Sequence, residues 1–369
     1  MKFVIIGAGP VGCYTGYLLA REGHTVEIYE EHEEIGLPFQ CTGLLTAAIE
    51  ELIVLPEDII ENKIDKINVF SPNGNKLELN LNKEEIILNR TKFDKYLAKL
   101  AKKEGASIFT SHKYTNYNKG NVEITHKKNK KTIKTDFLIG ADGPNSKIRQ
   151  LINNQNIEFY VGAQSTVNIK HDDNCFDTFF GEEFPCFFGW IVPISNKQSR
   201  IGLAAKNKSG LLFEKFLKNK VGENYKKSLC ETQGGLIPVY NPQLKVKSGN
   251  IAIVGDAATH VKSTTGGGII PGMKAAEEIV KYLILGKSQI KNKQLKIHKQ
   301  LRLHNIARKT LDRFTDKDYN KLIRLCKQDK IKNLLESHSR DYPSKFFIKM
   351  LLKEPRFLTF INKISCFKT

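Results

Sequence analysis

Near the N-terminus, Gly7-Ala8-Gly9-Pro10-Val11-Gly12 sets glycines at a spacing that could bind a pyrophosphate. Gly7 suits a tight turn, Gly9 lets bare backbone approach the phosphates, and Gly12 allows a helix to lie close to a strand; Val11 belongs to the same turn. Glu30 follows eighteen positions after the last glycine, where its carboxylate would accept hydrogen bonds from an adenosine ribose. A second stretch, Ile251 to Met273, carries Gly255-Asp256 and then Gly266-Gly267-Gly268-Ile269. Three consecutive glycines opening a helix cost backbone entropy. That cost makes sense if a flat or anionic group lies against bare N–H groups at the positive end of the helix dipole. A third stretch, Phe137 to Ser146, runs from an apolar segment into Asp142-Gly143.

These residues need strands and helices to hold them. Lys2–Ile6 reads as a short strand, Cys13 to Arg21 as a helix and Thr25 to Tyr29 as a second strand, which completes the context of a dinucleotide site. Ile251 to Val254 reads as a buried strand, and Lys274 to Val280 follows at helical spacing. A further helix runs from Leu88-Asn89-Arg90 to about Lys103, with Phe93, Leu97, Leu100 and Ala101 on one face. Ser107–Tyr114, Val122–Lys127 and Thr132–Ile139 read as a small antiparallel meander. A separate antiparallel sheet is expected from the hairpin Ile64–Phe70 and Lys76–Leu81, with strands within Phe159–Lys170, Thr178–Glu182, Phe187–Pro193 and Ser199–Ala205. Phe176, Phe179, Phe180, Phe184, Phe187, Phe188 and Trp190 concentrate aromatic surface there, either as core or as the wall of an apolar pocket.

The composition is that of an ordinary globular chain, with 40% hydrophobic and 26% charged residues. No apolar run is long enough for a transmembrane helix, and Phe3 to Ile6 is too short for a signal peptide. Seven cysteines scattered singly, with no Cys-x-x-Cys, point to a reducing cytoplasm and to neither a disulfide framework nor a metal site. The net charge of +19 is uneven: from Lys287 to Thr369 there are 22 Lys/Arg against 7 Asp/Glu. Within that region Lys345, Lys349 and Lys353 recur every fourth residue in Ser344 to Phe367, beside Phe346, Phe347, Ile348, Leu351 and Leu352. Such a basic amphipathic stretch either lies on an anionic membrane or packs its apolar face on the rest of the chain with its lysines solvated. Nucleic acid is a poorer partner for it, because no recognised binding module is present.

Taken together, the N-terminal fingerprint, Phe137 to Ser146 and Gly255-Asp256 resemble the glutathione-reductase-type FAD fold in its p-hydroxybenzoate-hydroxylase-like branch. Three further segments narrow the likeness to the geranylgeranyl reductase family: Pro38-Phe39-Gln40-Cys41 followed by a glycine, Val261 to Ile269, and Pro185-x-x-Phe188-x-Trp190-x-Val192-Pro193. The last has Phe for the family's Tyr and Val for its Phe, and Arg340-Asp341-Tyr342-Pro343 resembles a C-terminal feature of the family. The resemblance implies a fold of the α/β class: a Rossmann-like FAD-binding domain with an antiparallel-sheet substrate domain and a helical C-terminal tail. It implies that Asp256 hydrogen-bonds the ribityl chain of FAD and that Asp142 lies near the pyrophosphate. It also implies that Arg90 reaches the cofactor, and it offers Tyr114 for the adenine side. Cys41, Thr42, Gly43, Gly267, Gly268 and Ile269 would lie against the flavin, and Phe188, Trp190 and Pro193 would line the substrate wall.

The expected domains are 1–63, 83–155 and 245–285 for FAD, 64–82 and 156–244 for substrate, and a basic helical region at 286–369. The implied activity is FAD-dependent saturation of carbon–carbon double bonds in an isoprenoid chain on a lipid or diphosphate. The electron donor would be NAD(P)H or a ferredoxin-like protein. Cys41, His260 and bound water are the candidate proton sources, although a solvent-facing or capping role also suits His260 and a packing role suits Cys41. The same fold could instead serve a flavin monooxygenase or halogenase, or a flavin-containing membrane- or RNA-binding protein. A cytoplasmic location, peripheral on the inner face of the cell membrane, goes with the basic tail.

Overall fold

The computed structural model of the chain describes residues 1–38 and 41–363. Gln40 of the Pro-x-Gln-Cys segment and residues 364–367 of the basic stretch lie outside the described residues. The backbone forms two compact units. One contains Met1–Phe39, Asn89–Glu158 and Pro238–Leu301; the other contains Gln40–Leu88, Phe159–Ile237 and Arg302–Thr369. These bounds differ from the expected ones: 40–63, 83–88 and 302–369 fall in the second unit, and 156–158, 238–244 and 286–301 fall in the first.

In chain order, β1 (Lys2–Ile6), α1 (Pro10–Arg21) and β2 (Thr25–Tyr29) open the first unit, and β3 (Leu44–Leu45), β4 (Ile60–Phe70) and β5 (Lys76–Leu88) open the second. The first unit resumes with α2 (Arg90–Lys103), β6 (Ser107–Phe109), β7 (His112–Asn118), β8 (Asn121–His126), β9 (Asn129–Lys134), β10 (Phe137–Gly140) and α3 (Lys147–Ile152). The second resumes with β11 (Phe159–Val167), β12 (Cys175–Phe179), β13 (Gly189–Ser195), β14 (Gln198–Ala205), α4 (Ser209–Val221) and β15 (Leu229–Pro238). Then come β16 (Lys245–Ser248), β17 (Ile251–Ile253), α5 (Ile269–Ile284) and β18 (Gln289–Lys291). The helices α6 (His298–Leu311), α7 (Asp316–Cys326), α8 (Asp329–Glu336) and α9 (Phe347–Lys353) follow.

A seven-stranded sheet in the order β18-β16-β17-β10-β1-β2-β6 organises the first unit. Its central strands are parallel, with Ile6 opposite both Tyr29 and Gly140, and Gly140 opposite Ile253. Strands covered on both faces should read as unbroken apolar runs, and Phe3, Val4 and Ile5 are fully buried. Because β1, β10 and β17 are parallel neighbours, the loops after them leave the sheet at one edge. Those loops carry Gly7–Gly12, Asp142 and Asp256, which are the three stretches singled out by their chemistry. The carboxyl edge of an open parallel sheet is where such folds hold ligands.

The expected three-stranded meander is built differently. Ser107–Tyr114 divides at Ser111, whose φ is +57°, so β6 joins the parallel sheet beside β2 and β7 starts the small sheet β7-β8-β9. Thr132–Ile139 divides likewise at Thr135-Asp136, giving β9 to the small sheet and β10 to the parallel one.

An eight-stranded sheet, β15-β11-β14-β13-β12-β4-β5-β3, organises the second unit. From β11 to β3 its neighbours run antiparallel, except that β12 runs parallel to β4. Alternation along its strands divides the side chains between two faces. Val167, Phe179, Ile191, Ile201 and Leu203 pack with Phe213 and Phe216 of α4 on one face. Ile64, Ile67, Phe176, Val192 and Trp190 pack on the other. The aromatic concentration is therefore shared between clusters rather than gathered on one wall.

The C-terminal helices are part of this unit. Phe314, Tyr319, Ile323, Ile331, Phe357 and Phe360 pack with Leu77 and Leu79 of β5. The Arg340-Asp341-Tyr342 segment pins them: Arg340 pairs with Glu85 at 2.5 Å, Asp341 accepts from Thr46 Oγ1, and Tyr342 donates to Glu51 at 2.8 Å. Among the described residues no helix is long and apolar enough to cross a membrane.

Candidate functional site

The three glycines of the N-terminal turn are glycines for different reasons. A Cβ on Gly7, where φ is +102°, would lie 2.3 Å from the Ala141 carbonyl oxygen, and one on Gly12 would lie 2.1 Å from the Gly7 carbonyl oxygen. Those two are dictated by how closely the chain approaches itself. Gly9 has an ordinary φ of −70°, and a Cβ there would meet nothing within 4 Å. No described residue requires Gly9 to lack a side chain, which leaves the space before it to a ligand.

α1 starts at Gly9 without a side-chain cap and without an acid in its first turn. α5 starts at Gly268 in the same uncapped way. By contrast, Asn89 caps α2 by accepting from Lys92 N–H, and Ser146 caps α3 by accepting from Arg149 N–H. Leaving the first N–H groups of α1 and α5 without side-chain caps keeps two positive helix ends available to anionic groups.

Glu30 closes the turn from the other side. Its Oε2 accepts from Ala8 N–H at 2.8 Å, and its Oε1 accepts from His32 N–H at 3.0 Å. Val11 wedges between the two later glycine positions, since a Cβ on Gly255 would lie 3.1 Å from Val11 Cβ and one on Gly272 would lie 2.8 Å from Val11 Cγ2. Its side chain thus joins α1 to the start of α5.

Asp256 takes no hydrogen bond at its carboxylate from any described residue. Burial pushes its pKa up to about 6, and the positive charge of Arg90 pulls the other way. Arg90 itself is held by a paired contact to Asp94, 3.0 Å at the shortest. A Cβ on Gly268 would lie 2.7 Å from Asp256 Oδ1, so Gly268 makes room for that carboxylate, while a Cβ on Gly267 would meet Lys262 at 3.0 Å. Ile269 is the first residue of α5.

One expected ligand contact acquires other work. Both oxygens of Asp142 are engaged by α3: Oδ1 accepts from Ser146 Oγ at 2.6 Å and Oδ2 from Lys147 N–H at 2.8 Å. Tyr114 is buried in β7, and burial, reinforced by the charge of Asp142, pushes its phenol up to about 12.

His260 departs from expectation most clearly. It is neither solvent-facing nor a cap but fully buried. Asn292 spends its Nδ2 on the Asn241 and Ala258 carbonyls, so its Oδ1 must accept from His260 Nε2–H, at 2.8 Å. Burial lowers the imidazole to about 4, leaving it neutral with its one proton committed. His260 is a structural bridge, and the expectation that it supplies a proton is corrected.

In the second unit Cys41, Thr42 and Gly43 form a loop tied to the sheet by side chains. Cys41 N–H donates to Gln233 Oε1 at 3.1 Å, and Gly43 N–H donates to Cys41 Sγ at 3.3 Å. Thr42 Oγ1 donates to Gln164 Oε1 at 2.6 Å, and Arg200 Nη1 donates to the Thr42 carbonyl at 2.7 Å. Arg200 also pairs with Glu61 at 2.8 Å. Gly43 has φ +79°, and a Cβ there would lie 2.5 Å from the Leu88 carbonyl oxygen. The Trp190 indole N–H donates to the same Gln164 Oε1 at 2.8 Å.

That last contact follows from register. Gln164 on β11 and Trp190 on β13 both lie opposite Gly202 on the intervening β14. A Cβ on Gly202 would lie 2.6 Å from the indole, so the missing side chain lets Trp190 lie across β14 and reach Gln164. Phe188 meets Trp190 edge-on at 5.7 Å, and Pro193 is buried further along β13. Sequence reasoning missed Gln164, Arg200 and Gln233. The one available signal was Gly202, an isolated glycine inside an apolar strand, which marks a close approach.

The family model described as an FAD binding domain matches residues 1–314. An uncharacterized protein of Methanocaldococcus jannaschii is 32% identical over 294 residues, which is 76% of this chain and 75% of that protein. A digeranylgeranylglycerophospholipid reductase of Methanococcus vannielii is 28% identical over 98% of this chain and 97% of its own length. Among solved structures, a geranylgeranyl bacteriochlorophyll reductase-like protein from Thermoplasma acidophilum shares the fold at a TM-score of 0.78 and 20% identity, covering 96% of this chain and 98% of that one. The chain belongs to the FAD binding domain family and is similar within it to the geranylgeranyl reductases.

Proposed function

We infer that this protein is an FAD-dependent oxidoreductase that saturates carbon–carbon double bonds of a geranylgeranyl-type isoprenoid chain carried on a lipid or a diphosphate. The observation that carries the reading is the extent of similarity to the Methanococcus vannielii reductase, which runs through 98% of this chain and so includes the second unit as well as the nucleotide-binding one.

The residues present fit FAD. Among the described residues nothing crowds the Cβ position of Gly9, two helix starts lack side-chain caps, and nothing donates a hydrogen bond to the Asp256 carboxylate. On this reading Gly7–Gly12 and the start of α1 hold the pyrophosphate, and Glu30 holds the adenosine ribose. Asp256 holds the ribityl hydroxyls, with Arg90 opposing the buried charge. Asp142 contributes by fixing α3 rather than through a free carboxylate, and Tyr114 closes the adenine side.

FAD held there and reduced would supply the hydride for one alkene carbon. The start of α5, with Gly267, Gly268 and Ile269, offers its positive end to the negative charge that reduction creates. Phe188, Trp190 and Pro193 supply apolar wall for a chain with little to hydrogen-bond. An unactivated alkene accepts a hydride poorly, so a proton must reach the other carbon. With His260 withdrawn, the Cys41 thiol and bound water are the sources this reading keeps. The Gln164, Gln233 and Arg200 contacts hold Cys41 in one place, as positioning of a reacting group requires.

The experiment is anaerobic. Dithionite-reduced protein is mixed with a geranylgeranyl-bearing glycerophospholipid and, separately, with geranylgeranyl diphosphate, and the products are weighed by mass spectrometry. A gain of two hydrogens per reduced bond is expected from at least one of them. Turnover that requires oxygen and leaves every double bond intact would overturn the reading in favour of a monooxygenase. Replacing dithionite by NADPH or by a reduced ferredoxin then identifies the electron donor.

A further inference from the structure

In the second unit, the surface between Lys345 and Leu358 reverses the usual order of a water-facing surface. Large aliphatic side chains point outward: Ile348 is 68% exposed, Leu351 40%, Leu352 76% and Leu358 47%. Helical spacing places Ile348 and Leu352 one turn apart on α9, with Leu351 beside them. Met350 and the nearby Phe346, Phe357 and Phe360 turn the other way, into the protein. The basic tail thus has two apolar faces, of which the inner packs on β5 and the outer is exposed.

The charges are arranged to match. Glu354 is the only acid from Tyr342 to the end of the chain, and it is buried, bonded to Arg356 at 2.7 Å and to Lys330 at 3.1 Å. Lys345, Lys349 and Lys353 stay exposed beside the aliphatic tips with no carboxylate partner among the described residues. Exposed aliphatic side chains rimmed by cations that meet no carboxylate among the described residues, with the local acid withdrawn, fit the boundary between headgroups and acyl chains of an anionic bilayer.

We propose that α9 and the turn after it, through Ile348, Leu351, Leu352 and Leu358, dock this protein on an anionic lipid surface, with Lys345, Lys349 and Lys353 meeting the headgroups. A second copy of the chain fits less well, because a two-fold axis here would set three lysines against the same three lysines. A protein partner fits less well too, since the exposed tips are aliphatic and lack the Trp and Tyr anchors of protein hot spots. The proposal deepens the reductase reading and rests on it for its purpose, which is to hold the enzyme where a lipid-borne chain is found.

The test uses the FAD-loaded full chain and co-sedimentation with phosphatidylcholine vesicles, with or without phosphatidylglycerol. Three lysines at about fivefold each predict roughly 100-fold tighter binding to the anionic vesicles. Lys349→Glu with Lys353→Glu should remove most of that preference, and Ile348→Asp with Leu352→Asp should abolish binding. FAD content and turnover of a short prenyl diphosphate in solution should be unchanged. Leu211→Asp, at a leucine 69% exposed on α4, should bind like the parent. Equal affinity for both vesicles, or unaltered binding by the aspartate pair, would overturn the proposal. So would a dimer in solution that the aspartate pair dissociates. Vesicle binding is read without turnover, so its failure is told apart from failure of the reductase reading.

Discussion

The Gly7–Gly12 turn and the Cys41–Gly43 loop are both short, glycine-bearing and placed beside a sheet, yet they are held by opposite means. The turn is held by backbone packing: Gly7 and Gly12 allow approaches that no side chain could survive, and Gly9 and the start of α1 are left open. The loop is held by side chains, with Gln164, Gln233 and Arg200 each bonded to it. A surface made of backbone suits a cofactor common to a whole family. A loop made of side-chain contacts can be adjusted one residue at a time, which suits the part that meets a particular substrate.

The largest expected effect separates the glycines within the turn. Gly7→Ala combines a φ of +102° with a Cβ placed 2.3 Å from a carbonyl oxygen, and should cost more than about 4 kcal/mol or prevent folding. Gly9→Ala should leave the melting temperature of the apoprotein nearly unchanged while weakening FAD binding at least about tenfold, roughly 1.4 kcal/mol. Unchanged FAD affinity in Gly9→Ala would break the distinction between packed and ligand-facing glycines.

The loop should be next. Arg200→Met removes the ion pair with Glu61 and the hydrogen bond to the Thr42 carbonyl, at a cost of about 3 kcal/mol read from the denaturation midpoint. Gln164→Leu should cost about 1–2 kcal/mol, because the Thr42 hydroxyl and the indole N–H both lose their acceptor. Trp190 is the only tryptophan, so its emission reports this site alone and should shift in Gln164→Leu. An unchanged spectrum would mean that the indole is not anchored through Gln164.

The smallest effect is a pH dependence in the nucleotide unit. The Asp256 carboxyl is raised by burial to about 6, so the stability it lends the apoprotein is full below the unfolded carboxyl value and is lost as pH rises through about 6. If ribityl hydroxyls donate to the ionised carboxylate, FAD affinity should be flat above pH about 6 and fall up to tenfold per unit below it. Asp256→Asn should remove that slope, and a slope that persists in the variant would contradict the assignment.

The turn and its strands were legible because the whole pattern lies within thirty residues, even though Gly7 is required by the distant Ala141 carbonyl. The loop was legible only as a resemblance around Cys41. Its supports come from β11, β14 and β15, and the row Gln164–Gly202–Trp190 exists only once three strands have paired. The same cause divided the expected meander, since which sheet β6 and β10 enter is decided by β2 and β1 rather than by their own residues. His260 was misread because its burial depends on Asn292, thirty-two positions away. The basic tail was legible as amphipathic, but which apolar residues it would bury depended on the distant face of β5.

Reduced flavin held in this protein would give its hydride to an isoprenoid double bond. The most direct measurement follows the flavin absorbance of the fully reduced holoprotein, without oxygen, as a geranylgeranyl lipid is added. The oxidised spectrum should return in step with the substrate, one flavin oxidised per double bond saturated. A spectrum that stays reduced until oxygen is admitted, with the lipid recovered unsaturated, would contradict it.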